Sequence, residues 1–273
     1  MGADRRAWPE TMAANGIQRF TVPGRAPRYL LSARSATSRS ESEFMHITLI
    51  TRRLGIAAIT LVATATAALG SAAPQAAAAP ARDPILFVHG WHGSAADWNY
   101  MWGRFLDAGY SADEMARFTY DSTRSNKDIA LEVQAQVDAL RAKTGAAKVD
   151  IVTHSMGGLN SRWYLKNLGG VDFVDDWVSI AGPNHGTDTA NGCLDASCTE
   201  MRPGSTFLAE LNNTDETPGR VNYGTWWSPC DEIINPDEST VLNGATNTQT
   251  QCIGHTALLS SSTVFEGVRD FVR

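Results

Sequence analysis

Charge is scarce in this 273-residue chain, and what there is lies unevenly. Of the 23 Lys and Arg, nine stand before residue 81, as do four of the 29 Asp and Glu, so the remainder carries a net charge of about −11. No basic patch is left there, which excludes nucleic acid and anionic membrane surfaces as partners. Cysteine is also sparse, with four residues, Cys193, Cys198, Cys230 and Cys252, all in the last third of the chain. No two of them have the C-x-x-C spacing that favours a zinc site, and no acidic cluster has calcium-loop spacing, so no metal is expected. Internal repeats are absent. The one long apolar run, Leu54 to Leu69, is short for a spanning helix and diluted by Thr and Ala, so stable membrane insertion is not expected.

That run has another reading. It follows Met45 and the pair Arg52-Arg53, and an Ala-rich stretch with small-residue cleavage sites comes after it, the pattern of a secretory signal. The arginine pair leaves Sec and twin-arginine export both open. The sequence thus divides into a non-native or disordered extension (1–44), a secretory signal with an Ala-rich linker (45–80), and one catalytic-sized domain (81–273). Export makes disulfides the natural state of an even cysteine count. Pairing by neighbourhood gives Cys193–Cys198 and Cys230–Cys252, one of three possible connectivities.

Beyond residue 84 the elements alternate. Ile85 to Val88 reads as a buried strand, followed by a helix over 95–106 with Trp98, Met101, Trp102 and Phe105 at helical spacing. A second strand is expected at 117–120, and Ser125 to Asp128 resembles a capping box opening a helix that stops at Gly145. Strands at 149–152, 177–180, 221–227 and 249–253, a helix to Leu168 and a closing helix at 264–272 complete the pattern. Residues 181–220 are Gly-, Asn- and Thr-rich, with one short apolar piece at 207–211. This alternation is α/β: a mostly parallel sheet, with right-handed crossovers placing helices on both faces. Ligands of such sheets gather at the carboxyl ends of the strands, where the polar, Gly-rich breaks of this chain fall.

The sharpest of those breaks is Thr153-His154-Ser155-Met156-Gly157. A strand that runs straight into a helix has to reverse within a residue or two, and small neighbours let the two elements approach. Ser155 would stand at a helix N-terminus, where developing negative charge is favoured, so it is the candidate nucleophile. Thr153 stands where the G-x-S-x-G pattern has its first Gly. The chain order of such sites is nucleophile, acid, base. His89 and His92 come too early, and His154 adjoins the serine. Of the two remaining, His255 follows the last expected strand and is the better base; His185 is kept as a substrate-binding candidate. Asp231, at a strand end between Ser155 and His255, is the candidate acid, with Glu232 and Asp237 as substitutes. A Cys230–Cys252 bond would tie the acid loop to the base loop. Backbone N–H groups of Met156 and of the His89 to Gly93 loop are the candidate oxyanion donors. Trp226 and Trp227, near a strand end, could line an acyl groove or simply pack in the core.

VHGWHGS, TGAAKVDIVTHSMGG followed by WYLKNL, the Cys-Asp-Glu-Ile-Ile segment and IGHTALL together resemble the secreted bacterial lipases of the α/β-hydrolase fold, in particular the small Bacillus-type lipases and their actinomycete relatives. The resemblance covers residues 84–273. It implies Ser155, Asp231 and His255 as a triad, the N–H groups of Trp91 and Met156 as oxyanion hole, and hydrolysis of fatty-acyl esters without a cofactor. A secreted, extracellular monomer acting on lipid or ester substrates is the resulting expectation. Short-chain carboxylesterase, polyester hydrolase and serine peptidase or amidase are the alternatives. The 181–220 loop and the cysteines depart from the smallest members of that family.

Overall fold

A computed structural model describes residues 82–273. The expected extension and secretory signal lie outside these described residues. Six strands form one sheet: β1 (Ile85–Val88), β2 (Met115–Arg117), β3 (Val149–His154), β4 (Val174–Ile180), β5 (Asn222–Trp227) and β6 (Thr246–Gln249). Their order is β2-β1-β3-β4-β5-β6, and every neighbouring pair is parallel.

The two faces follow from the two-residue period of a strand. Leu86, Val88, Ile151 and Trp177 point to one side, where α2 (Asn126–Thr144) and α3 (Gly157–Asn167) cover them with Ile129, Val133, Val137, Leu159 and Tyr164. Ile85, Phe87, Val152, Val178 and Ile180 point to the other. There α1 (Asn99–Asp107) and α6 (Ser262–Phe271) supply Met101, Phe105, Val264, Phe265 and Val268. Phe87 packs within 5.0 Å of the Trp98 ring and 5.7 Å of Phe105. Each such side chain, fully buried, contributes about 1.5–3 kcal/mol through burial. A parallel sheet covered on both faces is thus the outcome the alternating pattern implied.

The connection from β1 runs out to β2 and then back across to β3, so the chain reverses direction between β1 and β3. Loops leaving such a switch point part from one another and open a crevice at the carboxyl ends. The loops after β1 and β3 are the ones carrying His89-Gly90-Trp91 and Ser155.

Four expectations need correction. The second strand is Met115–Arg117 rather than 117–120. The last strand is Thr246–Gln249 rather than 249–253. It is a short edge strand, mostly solvent-exposed, with no apolar alternation to announce it. Thr250 N–H still donates to the Trp227 carbonyl at 2.7 Å, and residues 251–253 leave the sheet: Ser228 Oγ accepts the Ile253 N–H at 2.9 Å and donates to the Gln251 carbonyl at 3.2 Å. The Gly- and Thr-rich 181–220 region holds two short helices, α4 (Ala196–Met201) and α5 (Thr206–Leu211). Also, Ser125 caps α2 by accepting from Lys127 N–H, but the second half of the cap comes from afar, the Glu200 carboxylate accepting the Asn126 N–H at 2.6 Å.

Candidate active site

Ser155 follows β3 with φ of +54°, in the left-handed region that a non-glycine residue rarely enters. The conformation is held from both sides, since Ser155 N–H donates to the Ile180 carbonyl at 2.9 Å and its own carbonyl accepts from Gly158 at 3.0 Å. Gly157 is required by space. A Cβ there would stand 2.5 Å from the Val88 carbonyl oxygen and 2.6 Å from that of His89. Thr153 fits where a glycine would be expected, because its hydroxyl donates to the Val178 carbonyl at 2.8 Å in a fully buried position.

Beside the serine runs the loop after β1. Gly90 comes so near that an added Cβ would lie 2.7 Å from Ser155 Cβ. The loop is fixed by His89, whose ring stacks on Tyr120 at 3.9 Å. Tyr120 N–H donates to His89 Nε2 at 3.2 Å, so Nε2 is unprotonated and Nδ1–H donates to the Gly90 carbonyl at 2.7 Å. Burial holds this imidazole below its ordinary pKa and therefore neutral. The Tyr120 hydroxyl donates to the His89 carbonyl as well. Among the described residues, the N–H groups of Trp91 and Met156 have no backbone acceptor; Met156 follows the serine in the chain and Trp91 follows Gly90.

His255 lies beyond β6 and Asp231 beyond β5. Asp231 Oδ2 is 2.8 Å from His255 Nδ1, with both side chains buried. The other oxygen, Oδ1, accepts the N–H groups of Ile233 and Ile234, each at 2.9 Å. Burial alone would raise this carboxyl. The hydrogen bond and charge of His255, with those two N–H groups, outweigh it and bring Asp231 below the usual carboxylate value. With Nδ1–H committed to a carboxylate, His255 Nε2 is the basic nitrogen. Glu232 does not reach the ring; its carboxylate accepts the His255 backbone N–H at 3.0 Å. Asp237 stands apart, on the 3-10 turn Asp237–Thr240.

Two further residues steady the histidine, and the sequence alone did not single them out for this. His154 Nε2–H donates to the His255 carbonyl at 3.2 Å, and the two rings lie 4.6 Å apart. Its burial, with the adjacent His255 charge, lowers its pKa to about 3, so it serves as a neutral donor. Ser228, fully buried, accepts from Cys230 and Ile253 and so joins the acid loop to the base loop. The same loops are joined by the Cys230–Cys252 disulfide, and Cys193–Cys198 closes the second. Both pairings are the neighbourhood ones.

Ser155 and His255 line one cavity together, which also takes in Trp91. The structure does not bring the other candidates there. His185 Nε2–H donates to Glu216 Oε1, 2.7 Å away, and His185 lines a separate groove with Glu216 and Asn243. Trp226 is buried on β5 against Phe271, with ring centroids 5.6 Å apart, which is the core-packing reading. Trp227 lines neither cavity at Ser155. A strand-end position does not decide which face a side chain takes.

A serine-bearing turn at the switch point of a parallel sheet, with a paired Asp and His on later loops, is the arrangement of the α/β-hydrolases. Residues 82–260 match the family Lipase (class 2), and the chain belongs to it. It is thus a carboxylic ester hydrolase by family. Solved structures agree on the fold. A mature Bacillus licheniformis lipase superposes with a TM-score of 0.63 at 20% identity, over 73% of this chain and 96% of that one. Aspergillus fumigatus lipase B gives 0.58 at 19% identity, over 68% of this chain and 53% of that one. A Listeria innocua gene product gives 0.57 at 15%, over 70% and 94%.

Proposed function

We propose that this protein is a secreted serine lipase that hydrolyses fatty-acyl esters, triacylglycerols among them, through an acyl-enzyme. The observation that carries the reading is the 2.8 Å Asp231–His255 contact beside a serine held at positive φ. His255 Nε2 takes the Ser155 proton as Oγ attacks the ester carbonyl carbon. The N–H groups of Trp91 and Met156 receive the oxyanion, and Asp231 stabilises the imidazolium. When the C–O bond breaks, His255 returns the proton to the leaving alcohol. Water then attacks the acyl-enzyme by the same route, its proton passing through His255 back to Ser155, and the fatty acid departs. No cofactor enters. The two disulfides support an oxidising, extracellular setting.

The test is fatty-acid release from a triacylglycerol emulsion by the protein and by Ser155→Ala, with mass spectrometry after treatment with a p-nitrophenyl alkylphosphonate, which gives up p-nitrophenolate when the serine attacks phosphorus. Loss of at least about 10⁴-fold in rate is expected in the variant. One phosphonyl group should attach to Ser155. Activity that survives the substitution, or a label on another residue, rejects the mechanism.

A further inference from the structure

Ser155 and His255 stand where two cavities meet, and the two differ in size and in lining. One, of about 230 Å³, is walled largely by Pro183, Ala190, Met201, Ile233 and Ile234. The other, of about 400 Å³, is bounded by His92, Asp97, Tyr100, His154 and Ser260. Trp91 and Thr256 belong to both and form the divide. We propose that the smaller cavity takes the acyl chain and limits it to medium length, about eight or nine carbons, while the larger and more polar of the two receives the alcohol. This rests on the ester-hydrolase reading of the same site and adds a substrate class to it.

The assignment follows from what each half of an ester gains. At the carbon attacked by Ser155 the acyl chain and the alkoxy oxygen leave in different directions, so they need separate spaces. An alkyl chain gains by leaving water, at about fourfold in kcat/KM for each methylene buried. That gain is larger against Ala190, Met201, Ile233 and Ile234 than against Asp97, His92 and Ser260, which share their cavity with Tyr100 and Leu259. The alcohol half of a glyceride carries further oxygens, which the second group can accept hydrogen bonds from or donate to.

The length limit follows from volume and from the stiffness of the far wall. An apolar cavity of about 150 Å³ holds one benzene, so each carbon needs about 25 Å³ and 230 Å³ takes about nine. The wall cannot readily retreat. Arg202 donates to the Ala190 carbonyl at 3.2 Å and to the Cys193 carbonyl at 2.7 Å. Cys193 is bonded to Cys198, and the Met201 carbonyl accepts from Thr187 at 2.9 Å. A longer chain has to climb out of the cavity, and its extra methylenes gain little.

The experiment is kcat/KM over p-nitrophenyl esters from acetate to palmitate, which holds the alcohol constant. Six methylenes at about fourfold each set a ceiling of about 4000-fold from acetate to octanoate; ordering the chain costs part of this, so a rise of at least about 100-fold is expected, then a plateau or fall toward palmitate. Ala190→Phe, which fills the cavity, should move the optimum to butyrate or shorter. If that variant does not fold, inhibition of the unaltered protein by n-alkylboronic acids gives the same information, with affinity rising to octyl and levelling beyond. An optimum at acetate, with Ser155→Ala inactive, overturns the acyl assignment and leaves the serine esterase standing. A continued rise to palmitate, or boronic acids that keep tightening past decyl, overturns the limit. A folded Ala190→Phe with an unchanged profile overturns the location.

Discussion

Asp150 and Asp231 are both nearly buried, at 2% and 8% exposure, and they stand at opposite ends of the sheet. Asp150 is at the amino end of β3, where its Oδ1 accepts the Asp176 N–H at 3.1 Å. Asp83, Asp175 and Asp176 surround it. Burial first, and then those like charges, raise its carboxyl well above the ordinary value. Asp176 itself is pushed up to about 6, mainly by burial. Asp231, at the carboxyl end, is driven the other way by His255 and two backbone N–H groups. Desolvation acts upward on both; the charge of the neighbour decides the result. A buried carboxylate is held ionised only where the fold supplies a cation or enough N–H groups, and here that happens where the chemistry is needed.

The contrast can be broken hardest at Asp231. Asp231→Asn keeps the shape but reverses the hydrogen bond that fixes the His255 tautomer, so kcat/KM should fall about 10⁴-fold with folding intact. A fall of less than tenfold would mean that a neighbouring acid such as Glu232 takes over. Next comes the cross-link that the carboxyl end carries between Cys230 and Cys252. Replacing both by alanine frees a separation of 22 residues and should cost about 3 kcal/mol, read as a Tm lower by about 6–12 °C. Activity should become more heat-sensitive in step, since the same bond ties the acid loop to the base loop. Equal Tm and equal heat resistance after full reduction would remove that role.

The smallest effect sharpens the amino end. A carboxyl raised in the folded state favours folding most at low pH, and that advantage disappears as pH climbs through the raised value. Asp150→Asn keeps the acceptor for Asp176 N–H without the charge. It should therefore stabilise the protein by about 1 kcal/mol at pH 8, with the gain fading below about pH 4. A pH-independent difference in Tm would mean that the acidic cluster does not repel.

The Ser155 turn was legible in the letters because everything that makes it is local: a buried strand, a helix and small residues between them. The base and the acid were narrowed by chain order, but the choice of Asp231 over Glu232 depends on which of two adjacent carboxyls turns to the ring, and spacing does not encode that. β6 escaped because an edge strand exposed to water needs no apolar alternation, while the more apolar Gln251-Cys252-Ile253 that follows suggested one. His154 was visible only as a neighbour of the serine. Its contact with the His255 carbonyl joins positions 101 residues apart. Ser228 is a similar case. The tryptophans and His185 were drawn to the site by their position at strand ends, and the sheet's alternation turned Trp226 inward.

The proposed base follows the last and outermost strand. His255 is held against Asp231 by the Ser228 bridge and the Cys230–Cys252 bond, and the pairing of β6 with β5 carries both loops to the same end of the sheet. With the proposed triad, ester hydrolysis reports that the last two strands and their loops have come together, and not the mere presence of the polypeptide.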